Sequence, residues 1–376
     1  MPKRGNGEGS IRQRPDGTWE ARFYVNGMRK SLYGKTKAEV VRKQRDALFS
    51  ADKGKYIEPS KMTIANWLTQ WEETYGRPGW RDTTASTHHQ SITNHLIPAL
   101  GDIPLQKLGA QDIQLFIIHR QEAGAKPATI IKQLSPLKGA MRQAVLLKLR
   151  AENPFDGVKQ PKLVQDEVEH LTEAEQRDYA ASLPATTTGR LLRFILGTGL
   201  RVGEAIGLCW SDVKDAQFTV RRTVATVSNL HAAEGEPRTR QSIQPTKTGA
   251  GLRSIPLGND MRALLDRQHK EQAKERIKAG PQWQSGEFVF ASAVGTPLQV
   301  RNIRRVHDKA LAAAGVHRVT LHGLRHSFAT RWLVHDSDIR GLSEILGHAD
   351  VATTLRRYVH SDPTHKADMM QRMGVL

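Results

Sequence analysis

Two proline-containing polar stretches divide the chain and limit the size of any one folded unit. The first surrounds Pro59, and the second runs from Asn153 to Glu169 with prolines at 154 and 161. Proline removes a backbone donor and disfavours helix in the residue before it, so regular structure rarely continues through such a stretch. The predicted units are residues 1–58, 63–152 and 168–376.

The first segment has the turn pattern of a small β-sheet. Asp16-Gly17 and Asn26-Gly27 separate three short β-rich runs, and glycine supplies the positive φ that tight hairpin turns need. A helix follows, and Thr36 can cap its start. The segment therefore predicts a three-stranded sheet backed by one helix. The predicted strands are residues 11–14, 18–25 and 28–33, and the predicted helix is 36–52.

The middle segment predicts a helical bundle. Glycine and proline at 76–79 and the stretch from Pro98 to Pro104 mark breaks between helices, and Asp82 and Thr83 mark a helix start. The predicted helices are residues 63–75, 83–96, 110–123 and 127–149.

The last segment is mostly helical by the same criteria, with β-rich regions at 218–227 and 241–256. These regions predict a small antiparallel sheet. The fold class expected for the whole chain is therefore α+β multidomain: a three-stranded sheet plus helix, a helical bundle, and a mostly α unit with a small antiparallel sheet.

The charge balance points to a polyanionic partner. The chain carries a net charge of +18 with a pI near 10.1, and its first 60 residues hold 14 Lys/Arg against 7 Asp/Glu. Nucleic acid is the commonest polyanion for such a surface. On charge alone, a basic surface that serves only solubility, or a small basic adaptor segment, stays an open alternative.

Hydropathy and cysteine content favour a cytoplasmic protein. The sequence has no run of about 18 apolar residues that could span a membrane, and its start lacks the apolar stretch of a secretory signal. The single cysteine, Cys209, excludes an internal disulfide and lies in an apolar run typical of a core residue.

Four short blocks of the last segment present groups suited to a phosphodiester. Arg201 follows Gly199, which can end one helix and let the arginine open the next beside free helix N–H groups. His322 and Arg325 are three residues apart, which places a proton-exchanging group and a planar cation together on one helix. The other two blocks contain His348 and Tyr358. Taken singly, each block could equally hold surface or packing residues.

In this order the four blocks resemble the signature of the tyrosine recombinases, the phage integrase family. The matching stretches are Gly199-Leu200-Arg201-Val202-Gly203-Glu204, His322-Gly323-Leu324-Arg325-His326-Ser327-Phe328-Ala329-Thr330, Leu346-Gly347-His348, and Tyr358 ten residues later. The N-terminal module resembles that of the lambda-type integrase branch. The resemblance implies an arm-type DNA-binding domain at 1–58, a helical core-binding domain (SAM-like) at 63–152 and a catalytic domain at 168–376.

The resemblance implies a site-specific recombinase that integrates or excises a mobile element through a 3′-phosphotyrosyl intermediate and a Holliday junction. Tyr358 would be the nucleophile, and His322 would accept or shuttle its proton. Arg201 and Arg325 would grip the phosphate, with a further hydrogen bond from His348. The family also has a β-hairpin lysine, and Lys247 is the only lysine between Asp215 and Asp260. No cofactor and no metal are expected.

The partners implied are double-stranded DNA with core-type and arm-type sites, a homotetramer on that DNA, and excisionase or DNA-bending accessory proteins as further candidates. The location implied is the nucleoid in a bacterial cytoplasm, with no membrane partner. After Tyr358, Asp362-Pro363 predicts the start of a short helix with Met369, Met370 and Met373 on one side. That apolar side would dock either on its own domain or on a neighbouring protomer.

Three alternatives remain at this point. A type IB topoisomerase shares the covalent tyrosine chemistry, and a non-enzymatic DNA-binding protein would suit the basic charge. A chromosome-dimer resolvase or transposon-type recombinase lies within the same family, although the N-terminal module favours an integrase.

Overall fold

The chain separates into two compact units within the second of the two polar stretches. A computed structural model describes residues 9–25, 27–52, 56–163, 169–230, 232–246, 249–284, 286–335, 338–348 and 350–352. The units are Met1–Val164 and Gln165–Leu376. The first unit contains both the first and the middle segment, and the division into three domains stays a prediction. Within the described ranges, no helix has the length and apolar character needed to cross a bilayer.

The first unit begins with the predicted sheet and helix. The strands β1 (Ser10–Gln13), β2 (Trp19–Val25) and β3 (Met28–Gly34) form an antiparallel sheet in that order. Helix α1 (Lys37–Asp52) packs on one face, where alternate β2 residues such as Phe23 are buried against it. Thr36 caps the helix by accepting a hydrogen bond from the backbone N–H of Glu39 at 3.2 Å.

A helical bundle completes the first unit. Its helices are α2 (Ile64–Trp71), α3 (Asp82–Ser91), α4 (Ile97–Leu100), α5 (Ala110–Glu122) and α6 (Pro127–Leu146). Trp67 lies in the bundle core and donates its indole N–H to the Ala140 carbonyl at 3.0 Å. The prediction that Pro98 marks a break was wrong, because proline is accepted in the first turn of a helix and Pro98 lies in that turn of α4. Helix α6 also ends three residues before the predicted 149.

The second unit is mostly helical and holds two small sheets. Its helices are α7 (Glu173–Ser182), α8 (Thr187–Thr198), α9 (Val202–Ile206), α10 (Asn259–Ala279), α11 (Val300–Ala314), α12 (Leu321–His335) and α13 (Ile339–Leu346). Its strands are β4 (Val213–Lys214), β5 (Gln217–Val220), β6 (Arg222–Ser228), β7 (Thr239–Pro245) and β8 (Arg253–Pro256). The core includes three packed aromatic rings, with Phe194 lying 5.3 Å from Phe218 and 5.4 Å from Phe290 between ring centroids.

The two β-rich regions of this unit are four strands rather than two. Strands β4, β5 and β8 pair in one antiparallel sheet, whereas β6 and β7 form a separate hairpin. The chain leaves the first sheet at Arg221, between β5 and β6, which a continuous prediction over 218–227 missed. Strand β5 alternates buried and more exposed residues, whereas β6 buries Val224 and Val227, three positions apart. The change of sheet depends on strand pairing, which periodicity along the chain does not reveal.

Gly199 controls the turn that precedes Arg201. It ends α8 in the left-handed conformation, with φ of 67°, and its N–H donates to the Ile195 carbonyl at 2.9 Å. A Cβ atom there would overlap the Phe328 ring and approach the Leu346 side chain. Both the backbone conformation and the close packing therefore require glycine.

We expect Gly199→Ala to destabilise the second unit more than Gly315→Ala does. Both glycines end helices in this unit with nearly the same φ, 67° and 66°, but a Cβ at Gly315 meets no atom within 4 Å. In Gly315→Ala, the control, the free energy of unfolding should fall by about 1–2 kcal/mol because alanine disfavours the left-handed conformation. In Gly199→Ala it should fall by about 1–3 kcal/mol more because of the clash. Denaturant unfolding measures both values, and equal losses would contradict this packing.

Candidate functional site

Three of the six predicted site residues meet at the carbonyl end of α13. Arg325 donates from Nη2 to the Leu346 carbonyl at 2.6 Å, and Arg201 donates from Nη1 to the same oxygen at 3.4 Å. The Nε2 atom of His348 lies 3.0 Å from Nη2 of Arg325. The structure thus brings together side chains from three blocks that are far apart in the sequence.

Arg325 is the most enclosed of these cations. It extends from α12 with only 1% of its surface exposed, and its Nη1 donates to the Gly199 carbonyl at 2.9 Å. The last carbonyls of a helix have no partner within that helix and carry the negative end of its dipole. The Gly199 turn after α8 and the end of α13 therefore supply the acceptors that a buried guanidinium needs.

His348 owes its position to the turn that ends α13. Gly347 has a φ of 66°, and the backbone N–H of His348 donates to the Ser343 carbonyl at 3.1 Å. This 6→1 bond reverses the chain directly after the helix. The imidazole is consequently held beside Arg325 by backbone geometry.

Arg201 is held by a carboxylate from its own helix. It precedes α9 as the N-cap residue, and its Nη1 donates to Oε1 of Glu204 at 2.7 Å. The other Glu204 oxygen accepts the Arg201 backbone N–H at 3.1 Å, completing a capping arrangement. The Arg201 side chain stays 40% exposed, so its guanidinium is held through Nη1 while part of the side chain remains accessible.

A third arginine completes this network. Arg253, at the start of β8, donates from Nη2 to Oε2 of Glu204 at 2.9 Å and from Nε to the Ile345 carbonyl at 2.5 Å. It is 7% exposed at the side chain, and Glu204 is 6% exposed. Burial acts to raise the pKa of Glu204, but the hydrogen bonds and charges of Arg253 and Arg201 outweigh it and hold that pKa below its ordinary value of 4.5.

Glu204 and Arg253 are positioning residues that reasoning from sequence did not assign. The spacing Arg201-x-x-Glu204 is a capping pattern that could have identified the carboxylate. Arg253 is one of many arginines and lies 49 residues from Glu204 in sequence, so no local pattern marks it.

His322 occupies a different environment from Arg325 on the same helix. It lies in the first turn of α12 and is exposed, and its ring centroid lies 5.1 Å from that of the buried His326. It lies three positions before Arg325, which is nearly one helical turn. An exposed imidazole at this end of α12 is open to a substrate, whereas the Arg325 side chain is fixed within the protein.

Two predicted site residues, Lys247 and Tyr358, lie outside the described residues, as does the predicted tail helix after Asp362. Strand β7 ends at Pro245, and Thr246 donates its backbone N–H to the Arg221 carbonyl at 3.2 Å. The described hairpin of β6 and β7 thus ends two residues before Lys247.

The described cluster is suited to an anionic oxygen. It contains the guanidiniums of Arg201, Arg253 and Arg325 and one carboxylate, Glu204, which leaves a charge of +2 when the imidazole is neutral. Arginine presents several N–H groups in a plane that matches phosphate oxygens. Cations held before the substrate arrives need little reorganisation during reaction, which makes them effective in stabilising developing negative charge.

Comparisons with known proteins identify relatives for both units. The model of the phage integrase family matches residues 161–365, and that of the phage integrase N-terminal SAM-like domain matches 63–119. A tyrosine recombinase XerC-like protein of Caldanaerobacter subterraneus subsp. tengcongensis is 24% identical, over 93% of this chain and 92% of its own. An integrase of Saccharopolyspora erythraea is 26% identical, over 98% and 96%.

Solved structures share the fold. A Tn1549 transposon integrase in complex with transposon right end DNA has a TM-score of 0.66 at 22% identity, covering 83% of this chain and 99% of that one. A lambda integrase tetramer bound to a Holliday junction has a TM-score of 0.59 at 19% identity, covering 96% and 99%. These likenesses confirm the predicted fold class.

We expect Glu204→Gln to destabilise the second unit by about 3–5 kcal/mol near pH 7, since it leaves buried Arg253 without its counter-charge. The folded-state pKa of Glu204 is lowered, so its contribution is complete above the unfolded pKa near 4.5 and is lost as pH falls through the folded value. The difference between wild type and variant should therefore shrink below pH 4.5.

Denaturant unfolding at several pH values measures this difference. Glu344→Gln is the matched control, because Glu344 is 71% exposed and pairs across the surface with Arg340 at 3.3 Å. Glu344→Gln should lower the free energy of unfolding by no more than about 1 kcal/mol. A Glu204→Gln loss that stayed constant down to acid pH would show that charge is not what matters there.

Proposed function

Because this chain belongs to the phage integrase family and is a site-specific recombinase of the tyrosine class, we propose that Tyr358 attacks a DNA phosphate held by Arg201, Arg325 and His348. The observation that carries this assignment is the convergence of these three side chains at the Leu346 carbonyl. The family match does not favour the type IB topoisomerase or the non-enzymatic DNA-binding protein as alternatives.

The chemistry is a transesterification at phosphorus. The Tyr358 oxygen forms a bond to phosphorus while the bond to the 5′-oxygen breaks, which leaves a 3′-phosphotyrosyl link and a free 5′-hydroxyl. A phenol with a pKa near 10 needs a base at neutral pH. The exposed His322 accepts this proton, and Lys247 protonates the departing 5′-oxygen. Attack by a new 5′-hydroxyl reverses each step and requires no nucleotide.

The phosphate clamp has one fixed and one open cation. Arg325 is buried and bonded to two backbone carbonyls, so its orientation is set before DNA binds. Arg201 is 40% exposed and donates to the same Leu346 carbonyl at 3.4 Å. Two guanidiniums that grip non-bridging oxygens stabilise the additional charge of the pentavalent transition state.

The domain roles and partners extend this proposal. Residues 63–152 bind the core-type site, residues 1–58 bind arm-type DNA, and residues 168–376 perform the chemistry. Supporting facts are the SAM-like match within 63–119 and the basic sheet of the first segment. We propose assembly as a homotetramer, supported by the fold shared with a lambda integrase tetramer bound to a Holliday junction. Excisionase or DNA-bending proteins are candidate accessory partners, and the nucleoid of a bacterial host is the proposed location.

The Tyr358→Phe variant should bind DNA as wild type does and form no covalent adduct, because the substitution removes only the attacking oxygen. A suicide substrate with a nick next to the cleavage position traps the adduct of the wild type, and a denaturing gel detects it. Tyr75→Phe is the control, since Tyr75 is 43% exposed and lies in the first unit. An adduct that formed with Tyr358→Phe would remove this tyrosine from the role of nucleophile.

Arg201→Lys and Arg325→Lys should each reduce the cleavage rate by at least about tenfold, because an ammonium cannot reproduce the planar grip of a guanidinium. DNA affinity should change little, since many other cations share the binding. Arg340→Lys, at an 86% exposed position, provides the charge-conserving control. Single-turnover cleavage rates test the assignment, and a lysine variant as fast as wild type would place that arginine outside the clamp.

A further inference from the structure

The exposed face of the N-terminal sheet carries arginines arranged around one carboxylate. Alternate residues of β2, including Phe23, face α1, so the residues between them lie on the opposite face. On that face Glu20 stands opposite Arg12 of β1 and next to Arg22 on its own strand. A carboxylate at the centre of a basic face requires an explanation, because it opposes binding of a polyanion.

The geometry shows what Glu20 does to its neighbours. Nε of Arg12 donates to one Glu20 oxygen at 2.8 Å, and Nε of Arg22 donates to the other oxygen at 2.8 Å. The carboxylate is 4% exposed, whereas Arg12 and Arg22 are 55% and 28% exposed at their side chains. Glu20 therefore lies beneath both arginines and holds each by a single bond.

Bonding through Nε leaves the outer edge of each guanidinium for another acceptor. A guanidinium has five N–H donors, and the terminal nitrogens carry four of them. Within the described part of the chain, the polar contacts of these two side chains are the Nε bonds to Glu20. These hydrogen bonds lower the pKa of Glu20 to about 2, so the carboxylate stays charged and both arginines stay held at neutral pH.

The surroundings of the triad suit a DNA groove. Tyr24 and Tyr33 are 60% and 49% exposed on the same face, and Tyr33 lies opposite Glu20 in the β2–β3 register. The Arg14 guanidinium lies 5.4 Å from the Tyr33 ring centroid. A narrow β-sheet face fits the major groove, where an arginine held in plane can donate two hydrogen bonds to O6 and N7 of guanine.

We propose that Arg12 and Arg22, oriented by Glu20, determine sequence specificity by reading guanine in the major groove of DNA. The inference deepens the proposed function, since it rests on DNA binding by residues 1–58. Glu20 is a positioning residue: it lowers the total attraction to phosphate and in return fixes the two cations that contact bases. Loss of Glu20 should therefore separate affinity from specificity.

The first experiment identifies the guanines. Full-length protein selects sequences from a randomised DNA duplex library, and each guanine of a recovered duplex is replaced in turn by 7-deazaguanine, which lacks N7. Replacement at one or two positions should weaken wild-type binding by about 2- to 12-fold, because it removes one of the two hydrogen bonds of a bidentate arginine–guanine contact. Selected duplexes without guanine, or binding unaffected by every replacement, would overturn the inference.

Charge-conserving variants then assign each guanine to its arginine. Arg12→Lys and Arg22→Lys should each bind the selected duplex more weakly, by at least about fivefold, because an ammonium lacks the planar group that Glu20 holds. In each variant 7-deazaguanine at one position should cause a smaller loss of binding than it does in wild type. Arg29→Lys is the control, because Arg29 is exposed on the same face opposite Tyr24 and does not contact Glu20. Equal sensitivity to 7-deazaguanine in wild type and in both test variants would show that other residues read the bases.

Glu20→Gln gives the result that a purely structural role would not produce. The variant keeps the shape of the side chain but removes one negative charge, so binding to an unselected duplex should be as tight as wild type or tighter. Preference for the selected duplex should fall by at least about fivefold. A loss of binding to both duplexes, accompanied by a lower melting temperature, would identify Glu20 as a fold-stabilising residue and overturn the inference.

Covalent adduct formation on the nicked substrate is measured with the same preparations. If the variants still form the adduct but lose their preference for guanine, the chemistry is intact and the change lies in base reading by the sheet. Absence of an adduct in wild type, with guanine preference intact, would count against the proposed tyrosine chemistry and leave guanine reading standing.

Discussion

The candidate site depends on one buried guanidinium. Arg325 has 1% of its surface exposed, and its acceptors are the carbonyls of Gly199 and Leu346, with the His348 imidazole alongside. A charge that has lost its hydration is tolerated only where several hydrogen bonds replace it. Because those partners belong to segments separated by more than a hundred residues, this side chain fixes the distances between the blocks that hold Arg201, Arg325 and His348.

The acceptors of Arg325 exist because two helices end in left-handed glycines. Gly199 and Gly347 have φ values of 67° and 66°, and each turn aims helix-terminal carbonyls at the interior. Carbonyls at the end of a helix lack partners within it, so a guanidinium satisfies both them and itself. Helix termination and the placement of the cation cluster are thus parts of one arrangement, in which the same turns place Arg201 and His348.

Both units hold a carboxylate between two arginines, with different consequences. Glu204 is shared by Arg201 and Arg253 inside the protein, where Arg253 also reaches the Ile345 carbonyl and ties β8 to α13. Glu20 is shared by two arginines that stay accessible on a sheet face. The pKa of each carboxylate is lowered, so both remain ionised near neutral pH. In both places the carboxylate limits the freedom of the arginine side chains that it binds.

The sequence by itself determined the fold class, the elements of the first unit to within a few residues, the mostly helical character of the second unit, and the blocks that hold Arg201, Arg325 and His348. Turn glycines, prolines and helical spacing act locally, so they can be recognised without coordinates. Only the tertiary structure decided that 218–227 contributes to two sheets, that Arg325 is buried while His322 is exposed, and that Arg253 supports Arg201 through Glu204. Burial and long-range pairing depend on which surfaces meet after the chain has folded. Hydrophobic periodicity does not indicate that Arg253 pairs with Glu204, 49 residues away in the sequence.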